Sequence, residues 1–400
     1  MTFKVRLRFT ALAVVVSLLT VGLVSSDSWA TPSYPTQAEV DAAKRNVAKK
    51  KAMIARLDTI IGDLAEEEAA LVQVAQQKAE VYNQAQVRVD AIAAKVRVLQ
   101  AQADAATAQA EQAQLQIGQL ASQMYRQGAA GTSLNLLLNA GKADDLLYQL
   151  GAQERIAQTS ATLYARSIQT QKYADSLNSQ LKVAKTELAA EAAIAKNAYD
   201  AAQSAASTLT AKVNANKSLM NTFVVQLASL RRTSADLERQ RAEGLARDRA
   251  QQQGSADLSA PELYVVGPPD SDKVETAIAF ARKQLGEWYV LGGIGPNVWD
   301  CSGITKASYA AAGIYIGTHS ATNQFREMAR QQKLIPLSEA QRGDLMWYSS
   351  ESAFDGDKAH VVIYLGNDLM LEAPHPGSQV RIVQVRRGWQ LFRYAGRPSA

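Results

Sequence analysis

The most constraining feature of this sequence is the stretch 36–260, which contains no proline. Alanine, glutamine, lysine and leucine dominate it, and these residues favour helices. Positions taken in alternating steps of four and three residues over 57–120 are almost all apolar, and only Glu68 and Lys78 among them are charged. Such a heptad pattern is typical of a coiled coil. We therefore predict a helix over 37–126, roughly 135 Å long at 1.5 Å per residue.

A turn interrupts this pattern at Gly128-Ala129-Ala130-Gly131, and the leucine-rich segment 134–150 follows it. A second helical run starts near Leu146 and carries an apolar seam over 177–230. Two long helices joined by a compact tip form an antiparallel pair, so we predict that residues 31–250 fold as a coiled-coil hairpin. The leucines of the tip have two interpretations, which are local packing of the tip and a docking surface for a partner.

Residues 1–30 have the three parts of a signal peptide. An apolar run over 9–24 is followed by the small-x-small pattern Ser28-Trp29-Ala30, and the run is preceded by the basic residues Lys4, Arg6 and Arg8. The run is shorter than the ~20 residues that span a bilayer, which favours cleavage after Ala30 over an uncleaved anchor. We therefore expect a secreted protein of the cell wall or a periplasm-like space.

The remaining chain, 31–400, is long enough for two domains. Pro261 and Gly267-Pro268-Pro269 end the helical pattern, so 251–271 is predicted to be a linker. Residues 272–400 start with helical patterns and continue with strand patterns, which predicts an α+β domain with a small antiparallel sheet. Without the leader the formal net charge falls from +5 to about +3. This charge is too weak and too dispersed to indicate nucleic-acid binding.

Cys301 is the only cysteine in the chain. An exported protein normally uses cysteines in pairs, so a single thiol is more readily explained by catalysis than by structure. The alternative is a small buried core residue. A helical pattern follows Cys301 up to Gly313, which places the thiol at a helix N-terminus. Backbone N–H groups there stabilise a thiolate, so we expect a lowered thiol pKa.

A cysteine nucleophile needs a base, and the base needs an orienting group. Three histidines are present, namely His319, His360 and His375. The segments 361–365 and 369–373 alternate as two paired strands, and a three-residue loop over 366–368 gives them a common core face. That register brings His360 and Glu372 together on the opposite face, diagonally adjacent. We predict Cys301 as nucleophile, His360 as base and Glu372 as its orienter; the alternative is that His360 is a surface strand residue.

Five motifs occur in order in the last 130 residues. They are Gln284-Leu285-Gly286, Tyr289-Val290-Leu291-Gly292-Gly293, Asp300-Cys301-Ser302-Gly303, Arg342-Gly343-Asp344-Leu345 and His360-Val361-Val362-Ile363-Tyr364-Leu365-Gly366-Asn367. Together they resemble the NlpC/p60 family of peptidoglycan endopeptidases over roughly 270–400. The resemblance implies a papain-like fold with Cys301 and His360 as the catalytic pair. The third polar residue of the family falls on Glu372, as in the Rip-type members.

The same resemblance assigns further site residues. It implies that Tyr289 lies near the oxyanion, that Asp300 and Ser302 line the substrate pocket, and that His319 and Ser320 lie beside the site. Two departures from the family pattern are Glu287-Trp288 and the long polar loop 349–359, and neither touches the three catalytic residues.

The reaction that the resemblance implies is hydrolysis of the γ-D-glutamyl–diaminopimelate bond of peptidoglycan stem peptides through a thioester. It calls for neither a metal nor a cofactor. An amidase of the same fold and a non-catalytic wall-binding scaffold are the alternatives. The N-terminal half resembles the coiled coils of RipC-, CwlO- and PcsB-like hydrolases, through Tyr125-x-x-Gly128 and the leucines that follow. This likeness implies a coiled coil that restrains the enzyme and engages FtsX of the FtsEX complex in cell division; a plain spacer is the alternative.

Overall fold

The computed structural model describes residues 35–126, 143–253, 259–388 and 390–400. The predicted signal peptide and most of the leucine-rich tip lie outside the described residues. The chain divides into two compact units, Met1–Leu57 and Asp58–Ala400. None of the helices in the described ranges combines the length and the apolar content that crossing a bilayer requires.

The described part of the first unit contains a short helix and the start of a long one. Helix α1 spans Gln37–Ala43 and begins at Thr36, whose side chain forms a capping box with Glu39. Helix α2 spans Val47–Arg126. The Asn46 side chain accepts the Lys49 N–H at 3.1 Å, which is how an N-cap residue starts a helix. The prediction of one unbroken helix over 37–126 is therefore wrong at its beginning, because a new cap intervenes.

Within the second unit, α2 and helix α3 (Ala143–Arg231) form an antiparallel coiled coil. Polar pairs between the two helices run in opposite directions along the sequence: Gln114 with Gln171, Thr107 with Asn178, Gln100 with Lys185 and Glu67 with Lys212. Three buried alanines of α2 face three buried residues of α3 in one apolar cluster, formed by Ala103, Ala106, Ala110, Ala174, Leu177 and Leu181. The predicted coiled-coil hairpin is confirmed.

A further helix, α4 (Ala235–Gln253), packs at the base of the hairpin. Arg231, the last residue of α3, joins three helices because its guanidinium pairs with Asp58 of α2 and with Glu238 of α4, each at 2.5 Å. Glu238 also accepts the Thr233 hydroxyl at 2.7 Å. This ionic cluster fixes the turn between α3 and α4.

The C-terminal region is an α+β domain of three helices and eight strands. The helices are α5 (Ser271–Lys283), α6 (Cys301–Ala311) and α7 (Ala321–Arg330). The strands are β1 (Trp288–Tyr289), β2 (Val298–Trp299), β3 (Leu334–Pro336), β4 (Leu345–Tyr348), β5 (His360–Gly366), β6 (Leu369–Glu372), β7 (Arg381–Gln384) and β8 (Leu391–Gly396). Strands β1 and β2 form a small parallel pair, whereas the other six form one antiparallel sheet in the order β3-β8-β4-β5-β6-β7.

Both faces of this sheet are covered. One face packs against α5, α6 and α7 through the main core, which includes Ile278, Ile304, Phe325 and Trp347. The other face has a smaller core around Met346, Val362 and Met370. Helix α5 is capped by Asp270, whose side chain accepts the Asp272 and Lys273 N–H groups. Glu275 forms a bidentate ion pair with Arg342.

The β5–β6 hairpin sets the register of the site. Ile363 pairs with Leu371 and Tyr364 with Met370, which is the predicted register. The loop itself is shorter than predicted, because Asn367 and Asp368 form the turn with positive φ angles of 52° and 60°, as a type I′ turn requires. A β-bulge between Tyr364 and Gly366 absorbs the extra residue, so the two-residue turn still leaves His360 and Glu372 adjacent.

Candidate active site

Cys301 is the first residue of α6, and one residue, Asp300, separates it from the end of β2. The N-cap residue is Asp300, whose side chain accepts the Gly303 N–H at 2.7 Å. The Cys301 side chain is buried, and its sulfur accepts hydrogen bonds from the Val361 and Ser302 backbone N–H groups. The Val361 contact places the thiol beside the first residues of β5, where His360 lies.

The expectation of a lowered thiol pKa is wrong for this conformation. Burial raises the pKa of Cys301 well above its ordinary value, and the nearby carboxylates of Asp300 and Glu80 raise it further. The two backbone N–H donors lower it by less. The helix N-terminus is present as predicted, but desolvation and two neighbouring negative charges outweigh it, so the sulfur rests as a thiol.

His360 and Glu372 form a buried hydrogen-bonded pair. The His360 Nε2 atom lies 2.8 Å from Glu372 Oε2, and neither side chain is exposed, so His360 is not a surface strand residue. Burial lowers the pKa of His360, and the hydrogen bond to Glu372 opposes that effect without cancelling it. Among the described residues, His360 Nδ1 has no hydrogen-bond partner. The imidazole is therefore neutral, with one nitrogen held by Glu372 and the other free for a proton.

Two arginines also bind the Glu372 carboxylate. Arg386 binds both carboxylate oxygens, at 2.8 Å to Oε1 and 2.7 Å to Oε2, and Arg381 binds Oε1 at 3.0 Å. Burial would raise the pKa of Glu372, but Arg386, the hydrogen bonds and His360 outweigh it and hold that pKa well below its usual range. Glu372 is thus ionised near neutral pH, and a carboxylate only accepts hydrogen bonds.

The residues assigned to the substrate pocket form a second polar cluster beside the thiol. His319 Nε2 contacts both oxygens of Asp300, at 2.8 and 2.9 Å, and the Ser302 hydroxyl donates to Asp300 at 3.1 Å. Burial would raise the pKa of Asp300, yet His319 and the Gly303 N–H lower it on balance. Tyr289 is buried nearby, and burial together with the Asp300 and Cys301 charges raises the pKa of its hydroxyl. Tyr289 therefore remains a protonated donor.

His375 is the remaining histidine, and its hydrogen bond is made outside the His360–Glu372 pair. The structure brings together the residues that the sequence analysis names, which are Cys301, His360, Glu372, Asp300, Ser302, His319, Ser320 and Tyr289. The His375 Nδ1 atom lies 2.9 Å from the Pro376 carbonyl oxygen, so this side chain is hydrogen-bonded within its own turn.

Helix α2 contributes residues to this site that the sequence analysis did not identify. Glu80 accepts hydrogen bonds from the Ser320 hydroxyl at 2.5 Å and from the Ala321 and Thr322 N–H groups at 2.9 and 3.0 Å. Asn83 donates to Asp300 Oδ2 at 2.9 Å and to Ser302 Oγ at 3.4 Å. Both side chains are 2% exposed. The carboxylate of Glu80 occupies the N-terminus of α7, which has the polarity to bind an anion.

A polar stripe along α2 carries these contacts. Gln76 donates to the Pro374 carbonyl at 2.8 Å, Gln77 to the Ser350 hydroxyl at 2.7 Å and Gln84 to the Thr322 hydroxyl at 3.1 Å. Gln76, Glu80 and Asn83 recur at helical spacing and are all buried. That spacing is readable in the sequence as a second, polar face next to the heptad seam. The sequence did not predict that this face contacts the active site, because a polar helical face is normally exposed to solvent.

The arrangement supports acyl transfer. The sulfur lies at a helix N-terminus that favours negative charge, the free His360 nitrogen can receive its proton, and Glu372 fixes the imidazole tautomer. Tyr289 is a buried hydroxyl that stays neutral, and its role at the oxyanion stays a prediction.

Comparisons with known proteins give one consistent result. A family model described as "NlpC/P60 family" matches residues 286–395. Peptidoglycan endopeptidase RipB of Mycobacterium tuberculosis is 31% identical over 192 residues, which cover 43% of this chain and 72% of RipB. Peptidoglycan endopeptidase RipA of the same species is 35% identical over 146 residues, which cover 33% of this chain and only 28% of RipA. The solved structure of the peptidoglycan hydrolase RipB from Mycobacterium tuberculosis matches 40% of this chain and 86% of that chain, with 26% identity and a TM-score of 0.28.

Proposed function

Because this chain belongs to the NlpC/P60 family, we propose that it is a secreted peptidoglycan hydrolase that uses Cys301 as its nucleophile. The observation that carries the proposal is the buried His360–Glu372 pair, with its free imidazole nitrogen, next to the strand residue that donates to the Cys301 sulfur. RipA and RipB, to which the chain is similar, are described as peptidoglycan endopeptidases. The proposed substrates are therefore peptidoglycan stem peptides.

The proposed reaction proceeds in two halves. The Cys301 thiol passes its proton to His360 Nδ1, and the thiolate attacks the γ-carbonyl carbon of the D-glutamyl residue. The Tyr289 hydroxyl donates to the oxyanion that forms. The imidazolium then protonates the leaving amine of diaminopimelate, and a thioester remains. In the second half His360 removes a proton from water, the hydroxide attacks the thioester, and a γ-carboxylate and the thiol are released.

The choice of the γ-D-glutamyl–diaminopimelate bond is also a proposal. A D-glutamyl residue linked through its γ-carboxyl carries a free α-carboxylate. The Ser320 hydroxyl and the first N–H groups of α7 already hold one carboxylate, that of Glu80. We propose that the substrate α-carboxylate takes the same donors once Glu80 leaves. Asp300, Ser302 and His319 line the neighbouring part of the pocket, where they accept the peptide on its N-terminal side.

We further propose that the coiled coil holds the enzyme inactive in this conformation. The buried stripe of α2 covers the thiol and fills the polar pocket with Glu80 and Asn83. The negative charge of Glu80 also raises the pKa of the thiol, so the coiled coil opposes both substrate entry and thiolate formation. These contacts favour a restraining role over that of a plain spacer. They are contacts within one chain, which corresponds to restraint in cis.

Activation then requires a partner that removes α2 from the site. The resemblance at the hairpin tip makes FtsX of the FtsEX complex the proposed partner, and cell division the proposed setting. Most of the tip segment lies outside the described residues. At its base, Tyr125 is exposed and available for such a contact.

The test is digestion of purified stem peptides by residues 31–400, by residues 270–400, and by residues 270–400 with Cys301→Ala, with products identified by mass. Cleavage after D-glutamate by the isolated domain, weak cleavage by the longer chain and none by the variant are the expected results. Equal activity of the first two proteins would reduce the coiled coil to a tether. Cleavage of another bond would indicate an amidase, and no cleavage by a folded domain would indicate a scaffold.

A further inference from the structure

The Glu372 carboxylate has one feature that a Cys-His-Glu arrangement does not need. Its two oxygens are hydrogen-bonded to three basic side chains, His360, Arg381 and Arg386. Of these only Arg386 binds both oxygens, as a bidentate fork. Oxygen Oε2 is shared by His360 and Arg386, at 2.8 and 2.7 Å. A planar guanidinium that binds both oxygens fixes the carboxylate plane as well as its position.

We propose that Arg386 is a positioning residue of this site, which locks the Glu372 carboxylate and through it the His360 imidazole. This inference rests on the proposed function of the Cys301–His360 pair. Arg381 is a lesser partner, because it reaches only Oε1 whereas Arg386 binds both oxygens. Arg386 does not contact the pocket lined by Asp300 and Ser320, so its role is exerted through Glu372.

Contacts with Tyr348 hold the Arg386 side chain in position. Its guanidinium lies over the Tyr348 ring at 5.0 Å, and its backbone N–H donates to the Tyr348 hydroxyl at 3.3 Å. Tyr348 of β4 is paired with His360 of β5 across the sheet. Arg386 is therefore held in place by β4, the strand next to β5, which carries His360. Arg386, Glu372 and His360 are thus positioned by the same sheet.

The fork fixes the tautomer of His360. Since the paired Glu372 carboxylate only accepts hydrogen bonds, the Nε2 atom of His360 must carry the proton that it shares with Glu372. The lone pair is then on Nδ1, the nitrogen without a partner among the described residues. This is the nitrogen that must take the thiol proton.

The fork also limits the basicity of His360. The groups facing the imidazole are Glu372 from β6, Arg381 and Arg386 from β7 and the loop after it, Tyr348 from β4, and His375. Glu372 raises the pKa of His360, whereas Arg386 and Arg381 lower it. Without the arginines the imidazolium would hold its proton more tightly, and it would protonate the leaving amine less readily.

The experiment compares three full-length variants, Arg386→Gln, Arg386→Lys and the control Arg387→Gln. Arg387 is the next residue, and it pairs with Asp368 at 2.9 Å instead of Glu372. The pKa of His360 is measured by NMR, with the signal assigned through His360→Gln among only three histidines. Arg386→Gln should raise that pKa, while Arg386→Lys, which keeps the charge, and Arg387→Gln should leave it near the wild-type value.

Turnover supplies a second readout. Arg386→Gln should lower kcat about 100-fold with little change in KM, because a misplaced base costs rate and not binding, and Arg386→Lys should recover part of the loss. An unchanged His360 pKa in folded Arg386→Gln would overturn the proposal. Failure of residues 270–400 to cleave stem peptides would overturn the proposed function instead, since the NMR titration of His360 needs no substrate.

Discussion

Asn83 of the coiled coil donates its side-chain amide to Asp300, the residue before the only cysteine, at 2.9 Å and across 217 residues of sequence. Asp300 is fully buried and also holds His319 and the Gly303 N–H, so the amide enters a network that already orders the Cys301 turn. The Asn83 carbonyl oxygen has no partner within the described residues. A buried, unpaired carbonyl costs free energy. The closed conformation is therefore held by contacts that only partly satisfy this side chain, which is consistent with the proposed restraint.

Replacement of Asn83 by alanine should favour opening. A hydrogen bond to a charged group contributes about 1.5–3 kcal/mol, so the open population should rise roughly ten- to hundredfold. The measurement is the rate at which iodoacetamide alkylates Cys301 in the full-length protein. The matched control is Asn197→Ala, at an exposed asparagine of α3. Equal alkylation rates in the two variants would show that Asn83 does not hold the site closed.

The strength of closure should depend on pH through Glu80. Burial raises the pKa of Glu80 above its ordinary value of 4.5, and only hydrogen-bond donors oppose this. A carboxyl whose pKa is higher in the closed form binds its proton more tightly there. Closure is therefore strongest below pH 4.5, and it weakens as pH rises from 4.5 through the raised pKa.

Hydrogen exchange of the Ala321 and Thr322 amides measures this dependence, since both N–H groups donate to Glu80. Their protection factors, corrected for the intrinsic exchange rate, should fall as the pH rises above 4.5 and through the raised pKa of Glu80. Glu80→Gln should remove the pH dependence, whereas Glu111→Gln, at an exposed position of α2, should keep it. The same slope in both variants would assign the pH dependence to another group.

Glu372→Gln should nearly abolish turnover. The amide can present a donor to His360, which would place the proton on the wrong nitrogen, and the loss in kcat should be on the order of 10³-fold or more. Arg386 and Arg381 also lose their anionic partner, which should lower the free energy of unfolding by about 3–5 kcal/mol. Turnover and thermal unfolding are measured together, with Glu339→Gln at an exposed site as control. A folded variant with wild-type kcat would remove Glu372 from the mechanism.

The sequence predicted those features that depend on short-range periodicity. The heptad repeat predicted the hairpin, and the alternation in β5 and β6 predicted that His360 and Glu372 meet, even though the turn between them is shorter and bulged. The break at Asn46 was missed because a single cap residue inside a helical pattern has a weak signal. These errors are local and leave the topology unchanged.

The packing of α2 against the active site could not be predicted from such local patterns. Glu80 and Ser320 are separated by 240 residues, and nothing in a helical polar stripe identifies the surface that it covers. The thiol pKa was misjudged for the same reason. The helix N-terminus is a local feature, whereas burial and the Glu80 charge come from a distant part of the chain. The contact between Arg386 and Glu372 also could not be predicted, because it depends on the path of the chain after β7.

The close approach of α2 and α3 can be tested at the alanine cluster. Ala106 is buried against Ala174, Leu177 and Leu181, so Ala106→Leu should force the helices apart and lower the free energy of unfolding by about 1–3 kcal/mol. Ala105→Leu is the matched control, because Ala105 is exposed on the same helix and leucine is also a good helix former. Denaturant unfolding of both full-length variants gives the difference. If Ala106→Leu is as stable as the control, the hairpin interface is looser than these alanines indicate, and the apolar seam has room to repack.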